Sequence, residues 1–82
     1  MNYSINITSE YGQKFIKAFF PDDNVAYTLT ELGVGVFDAH YEKYKQMYPE
    51  MHEQNLRKCA FEETLLNDNR KDYVEFTELR YD

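Results

Sequence analysis

The chain has 82 residues, of which fifteen are acidic and nine basic, so its net charge is −6. This length fits one small domain over residues 1–82, and the 43% nonpolar and 17% aromatic content is typical of a folding chain. A general nucleic-acid binder needs a basic surface to displace counterions from phosphate, and an anionic membrane face also attracts basic proteins. The acidic balance argues against both classes and permits a protein partner with a basic surface.

Cysteine content and the N-terminal sequence predict a cytoplasmic protein. The single cysteine, Cys59, cannot form a disulfide within the chain, whereas small secreted domains usually contain several. The first residues lack the basic and nonpolar regions of a signal peptide. No nonpolar run approaches the roughly 20 residues that span a bilayer, so we expect no membrane insertion.

The N-terminal segment predicts a strand followed by a helix. Tyr3, Ile5 and Ile7 alternate with polar residues, which is the period of a half-buried strand. A stripe at helical spacing then predicts a first helix over residues 9–20. The stripe consists of Tyr11, Phe15, Ala18 and Phe19. Gly12 weakens the first turn of that helix.

The longest regular pattern predicts a second helix over residues 29–48. Its aromatic stripe consists of Phe37, Tyr41, Tyr44 and Tyr48. Thr28 and Glu31 have the spacing of a capping box, in which two side chains satisfy the first backbone donors of a helix. Tyr27 and Leu32 stand at the positions of a hydrophobic staple.

Two glycines leave an alternative open for this region. Val25, Tyr27 and Leu29 alternate as they would in a strand, so residues 25–37 also fit a β-hairpin that returns through the glycines. In a helix, Gly33 and Gly35 are costly unless another backbone passes close by or the first turn is irregular.

The second half of the chain predicts a third helix over residues 49–67 and a final strand. Pro49 is pre-shaped for the first turn of a helix. Residues 71–82 contain β-branched and aromatic residues that favour a strand, and the simplest partner for this strand is the N-terminal one. The predicted fold is α+β, with three helices and a short two-stranded sheet that pairs the N- and C-terminal segments. An all-α fold and a hairpin over residues 25–37 are the alternatives.

No motif in the sequence indicates catalysis or metal binding. Cys59 and His52 are seven residues apart, which on a helix is roughly 10 Å and too far for a thiolate–imidazolium pair. His40 and His52 are the only histidines, and neither has a partner at the spacing of metal ligands. We therefore expect no enzyme activity, no catalytic residue, no cofactor and no metal site.

Aromatic and acidic residues in the second half indicate a protein-binding surface. The tyrosine stripe fits either a core or an exposed patch, because tyrosine suits both. As an exposed patch it would contact a protein partner, and acidic side chains would steer association. The candidate residues are Tyr41, Tyr44, Met47, Tyr48, Met51, Glu62 and Glu63. The carboxylates also permit nucleic-acid mimicry, although interleaved basic residues dilute any continuous negative stripe.

In size, acidity, tyrosine content and lack of a catalytic motif, the chain resembles accessory proteins of bacteriophages. This resemblance implies an inhibitor or regulator that binds a host, defence or other phage protein and blocks it sterically. The alternative function is a self-assembling structural or lysis-timing subunit, in which the tyrosine stripe forms the contact of a homodimer.

Overall fold

The computed structural model describes residues 3–20 and 25–78, which form one antiparallel sheet and three helices. In chain order the elements are β1 (Ser4–Glu10), β2 (Gln13–Phe20), β3 (Val25–Leu29), α1 (Glu31–Met47), α2 (Glu53–Leu65), α3 (Arg70–Tyr73) and β4 (Val74–Glu78). The strands lie in the order β1-β2-β3-β4, and each is antiparallel to its neighbour. The class is α+β, but the sheet has four strands and not the two that were predicted.

The predicted helix over residues 9–20 is wrong, because this segment is the turn and second strand of a β-hairpin. Tyr11 and Gly12 both have positive φ, 52° and 79°, and they form the two-residue turn between the paired residues Glu10 and Gln13. Two positive φ angles suit the right-handed twist of a hairpin. β2 carries nonpolar residues on both faces, so its period of two is hidden and a helical stripe emerges by coincidence.

The predicted pairing of the two terminal segments is also wrong. β1 and β4 are the opposite edges of the sheet, with β2 and β3 between them. The C-terminal strand exists, but it pairs with β3, where Leu29 lies opposite Val74. The remaining tail residues, 79–82, lie outside the described residues. The predicted fold contains neither β2 nor β3 as a strand. The N-terminal and C-terminal strands therefore have no other pairing partner in that prediction.

The second predicted helix is present, but its N-terminal signal was assigned to the wrong threonine. α1 begins at Glu31, and Thr30 is the N-cap, with its Oγ1 accepting a hydrogen bond from the Gly33 amide at 3.1 Å. Thr28 lies in β3 instead, opposite Lys17 and Glu75. The Leu32 side chain is 65% exposed and makes no staple.

The alternatives for residues 25–37 and the start of the third helix also need correction. Residues 25–29 are a strand, as the alternation allowed, but residues 31–37 are helical and so do not form its return strand. An all-α fold is excluded by the four strands. α2 begins at Glu53, because Pro49 lies in the turn between α1 and α2 and His52 is the N-cap.

Thr30 and Gly33 join the start of α1 to the segment that leads into β4. The Thr30 amide donates to the Tyr73 carbonyl at 2.9 Å, and the Thr30 hydroxyl donates to the Asp72 carbonyl at 2.6 Å. Gly33 is buried against the Tyr73 carbonyl, where a side chain has no room. The close backbone approach expected for the glycines is found at Gly33, whereas nothing lies within 4 Å of a side chain built at Gly35.

The helices pack on one face of the sheet and form the core with it. The buried nonpolar residues of this core are Ile5, Ile16, Ala18, Leu29, Phe37, Ala60 and Phe61. The Tyr27 ring contacts the Phe61 ring edge-on, with 6.4 Å between the centroids. Among the described residues, no helix is long and nonpolar enough to cross a membrane.

Candidate protein-binding surface

Two tyrosines of the predicted patch hold α1 and α2 together. The Tyr41 hydroxyl donates to Glu53 and the Tyr44 hydroxyl donates to Glu63, each at 2.8 Å. Both tyrosines are only partly exposed, and the Tyr41 ring stacks on the buried Phe37 ring with centroids 6.2 Å apart. Their hydroxyls therefore serve the interface between the two helices.

The predicted acidic residues have the same kind of role. Glu63 accepts the hydrogen bond from Tyr44, and Glu62 accepts one from the Tyr3 hydroxyl at 2.8 Å. The second bond links α2 to the residue that precedes β1, and Lys58 lies over the Tyr3 ring at 5.3 Å from its centroid. The sequence predicts both glutamates as part of a binding surface and does not reveal these tyrosine partners, which come from other elements.

These hydrogen bonds shift the acidity of the groups that make them. The hydrogen bond to Glu53 raises the pKa of Tyr41, and the hydrogen bond to Glu63 raises the pKa of Tyr44, because each stabilises the protonated hydroxyl. Burial, followed by the bond to Glu62, raises the pKa of Tyr3 strongly. The bond from Tyr41 lowers the pKa of the Glu53 carboxyl, since it stabilises the charged form.

The rest of the predicted patch lies at the turn between α1 and α2, and it is accessible. The corner patch, as we name it, consists of Met47, Tyr48, Pro49, Glu50 and Met51, which line an open cleft of about 520 Å³. Met47 is 54% exposed and Tyr48 46% exposed, while Met51 is partly buried. The corner patch therefore presents a thioether and an aromatic ring side by side.

The orientation of the Tyr48 ring is restricted by a second tyrosine ring. This ring stacks on the Tyr44 ring, with centroids 6.3 Å apart and an angle of 18° between the planes. Because the Tyr44 hydroxyl is bonded to Glu63, the supporting ring is itself held in place. An aromatic side chain that is ordered before binding loses less conformational entropy when a partner contacts it.

Sequence reasoning missed other exposed nonpolar side chains. Leu66 after α2 is 77% exposed and Phe76 on the edge strand β4 is 65% exposed. Phe76 lies beside Tyr27, with 6.2 Å between the ring centroids. Val74 and Phe76 flank Glu75, so the sequence predicts that they share one face of the strand, but it does not predict how exposed that face is.

The groups weighed for catalysis and metal binding are separate in the structure. The His52 Nδ1 caps α2 by accepting from the Gln54 amide at 3.2 Å, and Cys59 is a partly buried free thiol. Within residues 3–20 and 25–78, no three His, Cys, Asp or Glu side chains are grouped as metal ligands.

Comparison of the chain with protein-family models, with curated proteins and with solved structures gave no match.

Proposed function

We propose that this chain is a small interaction protein that binds one protein partner through the corner patch. The observation that supports the proposal is that Met47 and Tyr48 are both exposed at one open cleft, where the Tyr48 ring is already stacked on Tyr44. Exposed aromatic and methionine side chains in a concave surface are typical of the residues that carry binding energy at interfaces. The complementary surface is a nonpolar side chain that enters the cleft.

Charge in the proposed interaction comes from Glu50 and from the whole molecule. Glu50 is the one charged member of the corner patch, and the net charge of −6 attracts a basic partner from a distance. In this proposal Glu62 and Glu63 do not contact the partner, because each accepts a hydrogen bond from a tyrosine of this chain.

In this proposal the protein acts as an accessory inhibitor or regulator in the cytoplasm. It occupies the working surface of a host, defence or phage protein and excludes that protein's usual ligand. The single cysteine and the phage-like composition support this role.

The test is affinity capture from a native lysate with three forms of the protein. The double variant Met47→Ser/Tyr48→Ser removes the two exposed nonpolar side chains of the corner patch, and Leu32→Ser removes an exposed nonpolar side chain from the other end of α1. We expect wild type and Leu32→Ser to bind one partner in fixed stoichiometry, and the double variant to lose it through faster dissociation. Equal capture by all three forms would show that the partner contacts another surface.

A further inference from the structure

We propose that the face of the sheet opposite the helices binds a second copy of this chain, face to face. The dimer has a two-fold axis that runs parallel to the strands and passes between β2 and β3. This surface is separate from the corner patch and does not depend on its function.

The proposal starts from the residues that β2 places on this face. Because side chains alternate along a strand, Phe15, Lys17 and Phe19 point away from the face that buries Ile16 and Ala18. Phe15 and Phe19 remain partly exposed, and Lys17 is exposed. Within the described chain, the contacts of the helices with the sheet involve the opposite face, where the core lies. The two phenylalanines add nonpolar surface to a face whose other side chains are mostly polar.

The register of the strands places the other residues of this face in rows across the sheet. One row contains Ser4, Phe19 and Ala26. The next row contains Asn6, Lys17, Thr28 and Glu75. Residues directly opposite one another on neighbouring strands project from the same face, so each row is a line of adjacent side chains.

The first row is complementary to itself across the proposed axis. A two-fold axis between β2 and β3 exchanges the two strands, so β2 of one copy lies over β3 of the other at the same height. Phe19 then lies over Ala26 of the second copy, and Ala26 lies under the second Phe19. A large side chain therefore meets a small one twice, which lets two sheets approach to the usual packing distance of about 10 Å.

The charges of the second row favour the same axis. Lys17 of one copy lies over Thr28 of the other and is one strand away from its Glu75, so two symmetric pairs of opposite charge form. A two-fold axis along the row would instead stack Lys17 on Lys17, which repels. Lys17 and Glu75 have no direct contact within one copy, because Thr28 lies between them.

The small area of this face predicts a weak dimer. Four strands of five to eight residues give a small surface, and two such surfaces bury on the order of 1,000 Å² in total, near the lower limit for a specific interface. We therefore expect dissociation in the micromolar range. The helices lie on the outside of both copies, so both corner patches stay outside the proposed contact.

The experiment measures the mass of the purified protein by sedimentation equilibrium between about 1 μM and 1 mM, a range that brackets the affinity expected from the interface size. We expect the mass to rise from 9.9 kDa to twice that value. Lys17→Glu and Glu75→Lys each turn both attractive pairs into repulsive ones, and each should weaken the dimer by about tenfold or more. The double variant Lys17→Glu/Glu75→Lys restores opposite charges and should restore dimerisation.

Matched variants on the exposed face of α1 separate this contact from the effect of net charge. Lys43→Glu and Glu42→Lys make the same charge changes as the single variants, and both should dimerise as the wild type does. Circular dichroism checks that every form is folded. A monomer at all concentrations would overturn the proposal. A dimer that is unaffected by Lys17→Glu, or one that the double variant does not restore, would also overturn it and assign the contact to an edge strand or to the corner patch.

Discussion

The carbonyl oxygen of Tyr73 occupies the space in which a side chain at Gly33 would begin. The same carbonyl accepts a hydrogen bond from the Thr30 amide at 2.9 Å. One backbone group therefore fixes the distance between the first turn of α1 and the segment that enters β4. A glycine within a helix is normally a cost, but here it permits the contact that attaches the last strand.

Gly33→Ala should destabilise the protein because the new methyl group collides with backbone, which cannot move as a flexible side chain can. We expect a loss of about 1–3 kcal/mol in the free energy of unfolding, the usual cost of overpacking. Gly35→Ala is the matched control, since nothing lies within 4 Å of its added carbon. That variant should gain up to about 1 kcal/mol from helix propensity. Urea denaturation of the two variants measures both effects, and equal stabilities would contradict this account of Gly33.

Thr30→Ala should destabilise more than Thr28→Ala. The Thr30 hydroxyl both caps α1 and donates to the Asp72 carbonyl, so its loss should cost about 1–2 kcal/mol. Thr28 has no capping role and its replacement loses only strand propensity, a fraction of that cost. The comparison of urea midpoints decides which threonine is the N-cap. A larger effect at Thr28 would show that Thr28 is the N-cap, as the sequence spacing predicts.

Tyr11→Asn should stabilise the hairpin. Tyr11 is 97% exposed and has a φ of 52°, a conformation that asparagine tolerates better than tyrosine does. We expect a gain of up to about 1 kcal/mol in the free energy of unfolding. Gly12→Ala should have the opposite sign, because φ at this position is 79°. Thermal melting of both variants tests the turn, and a loss of stability in Tyr11→Asn would contradict its geometry.

Stability should fall in alkaline solution through the three tyrosines that donate to glutamates. The pKa values of Tyr3, Tyr41 and Tyr44 are raised in the folded protein, so the unfolded chain loses these protons first as pH rises. Their contribution is complete below the ordinary value of 10.0 and is lost as pH rises from there through the raised values. Melting temperatures from pH 7 to pH 11 should fall more steeply for wild type than for the triple variant Tyr3→Phe/Tyr41→Phe/Tyr44→Phe. Tyr11→Phe, which changes a fully exposed ring, should behave as wild type does.

The Glu53 carboxyl gives the opposite dependence at low pH. Its pKa is lowered below the ordinary value of 4.5, chiefly by the hydrogen bond from Tyr41. Its stabilising contribution is therefore present above that value and is lost as pH falls through the lowered one. Tyr41→Phe should reduce this loss between pH 5 and pH 3, measured by melting temperature. An unchanged acid dependence in Tyr41→Phe would show that the bond does not stabilise the charged carboxyl.

The sequence predicts α1, α2 and the two outer strands but not β2 and β3 as the paired inner strands, and the residues show why. The stripe from Phe37 to Tyr48 repeats at one period over three turns, and α1 is found there. In β2 the central residues Phe15, Ile16, Ala18 and Phe19 are nonpolar on both faces, and such a run fits a helix and a strand equally well. The hairpin turn contains tyrosine before glycine, where asparagine would have been a stronger signal.

For a related reason, the sequence does not show which residues of the candidate surface are accessible. The spacing of Tyr41, Tyr44 and Tyr48 shows that they share a helix face, but not what covers that face. Glu53 and Glu63 meet the first two hydroxyls only because α2 turns back along α1. Tyr48 lies beyond these contacts at the corner and stays exposed. Which tyrosines are free depends on the path of the chain after Pro49, and periodicity carries no information about that path.

The position of β4 beside β3 has a consequence for the order of folding. β1, β2 and β3 pair with their neighbours in sequence, whereas Leu29 meets Val74 only after three helices have been traversed. Closing so long a loop has a large entropic cost, so local pairings form before distant ones. We expect the three-stranded meander and the α1–α2 hairpin to form early and β4 to join last. Destabilising the Gly33–Tyr73 contact should then speed unfolding and leave the refolding rate almost unchanged.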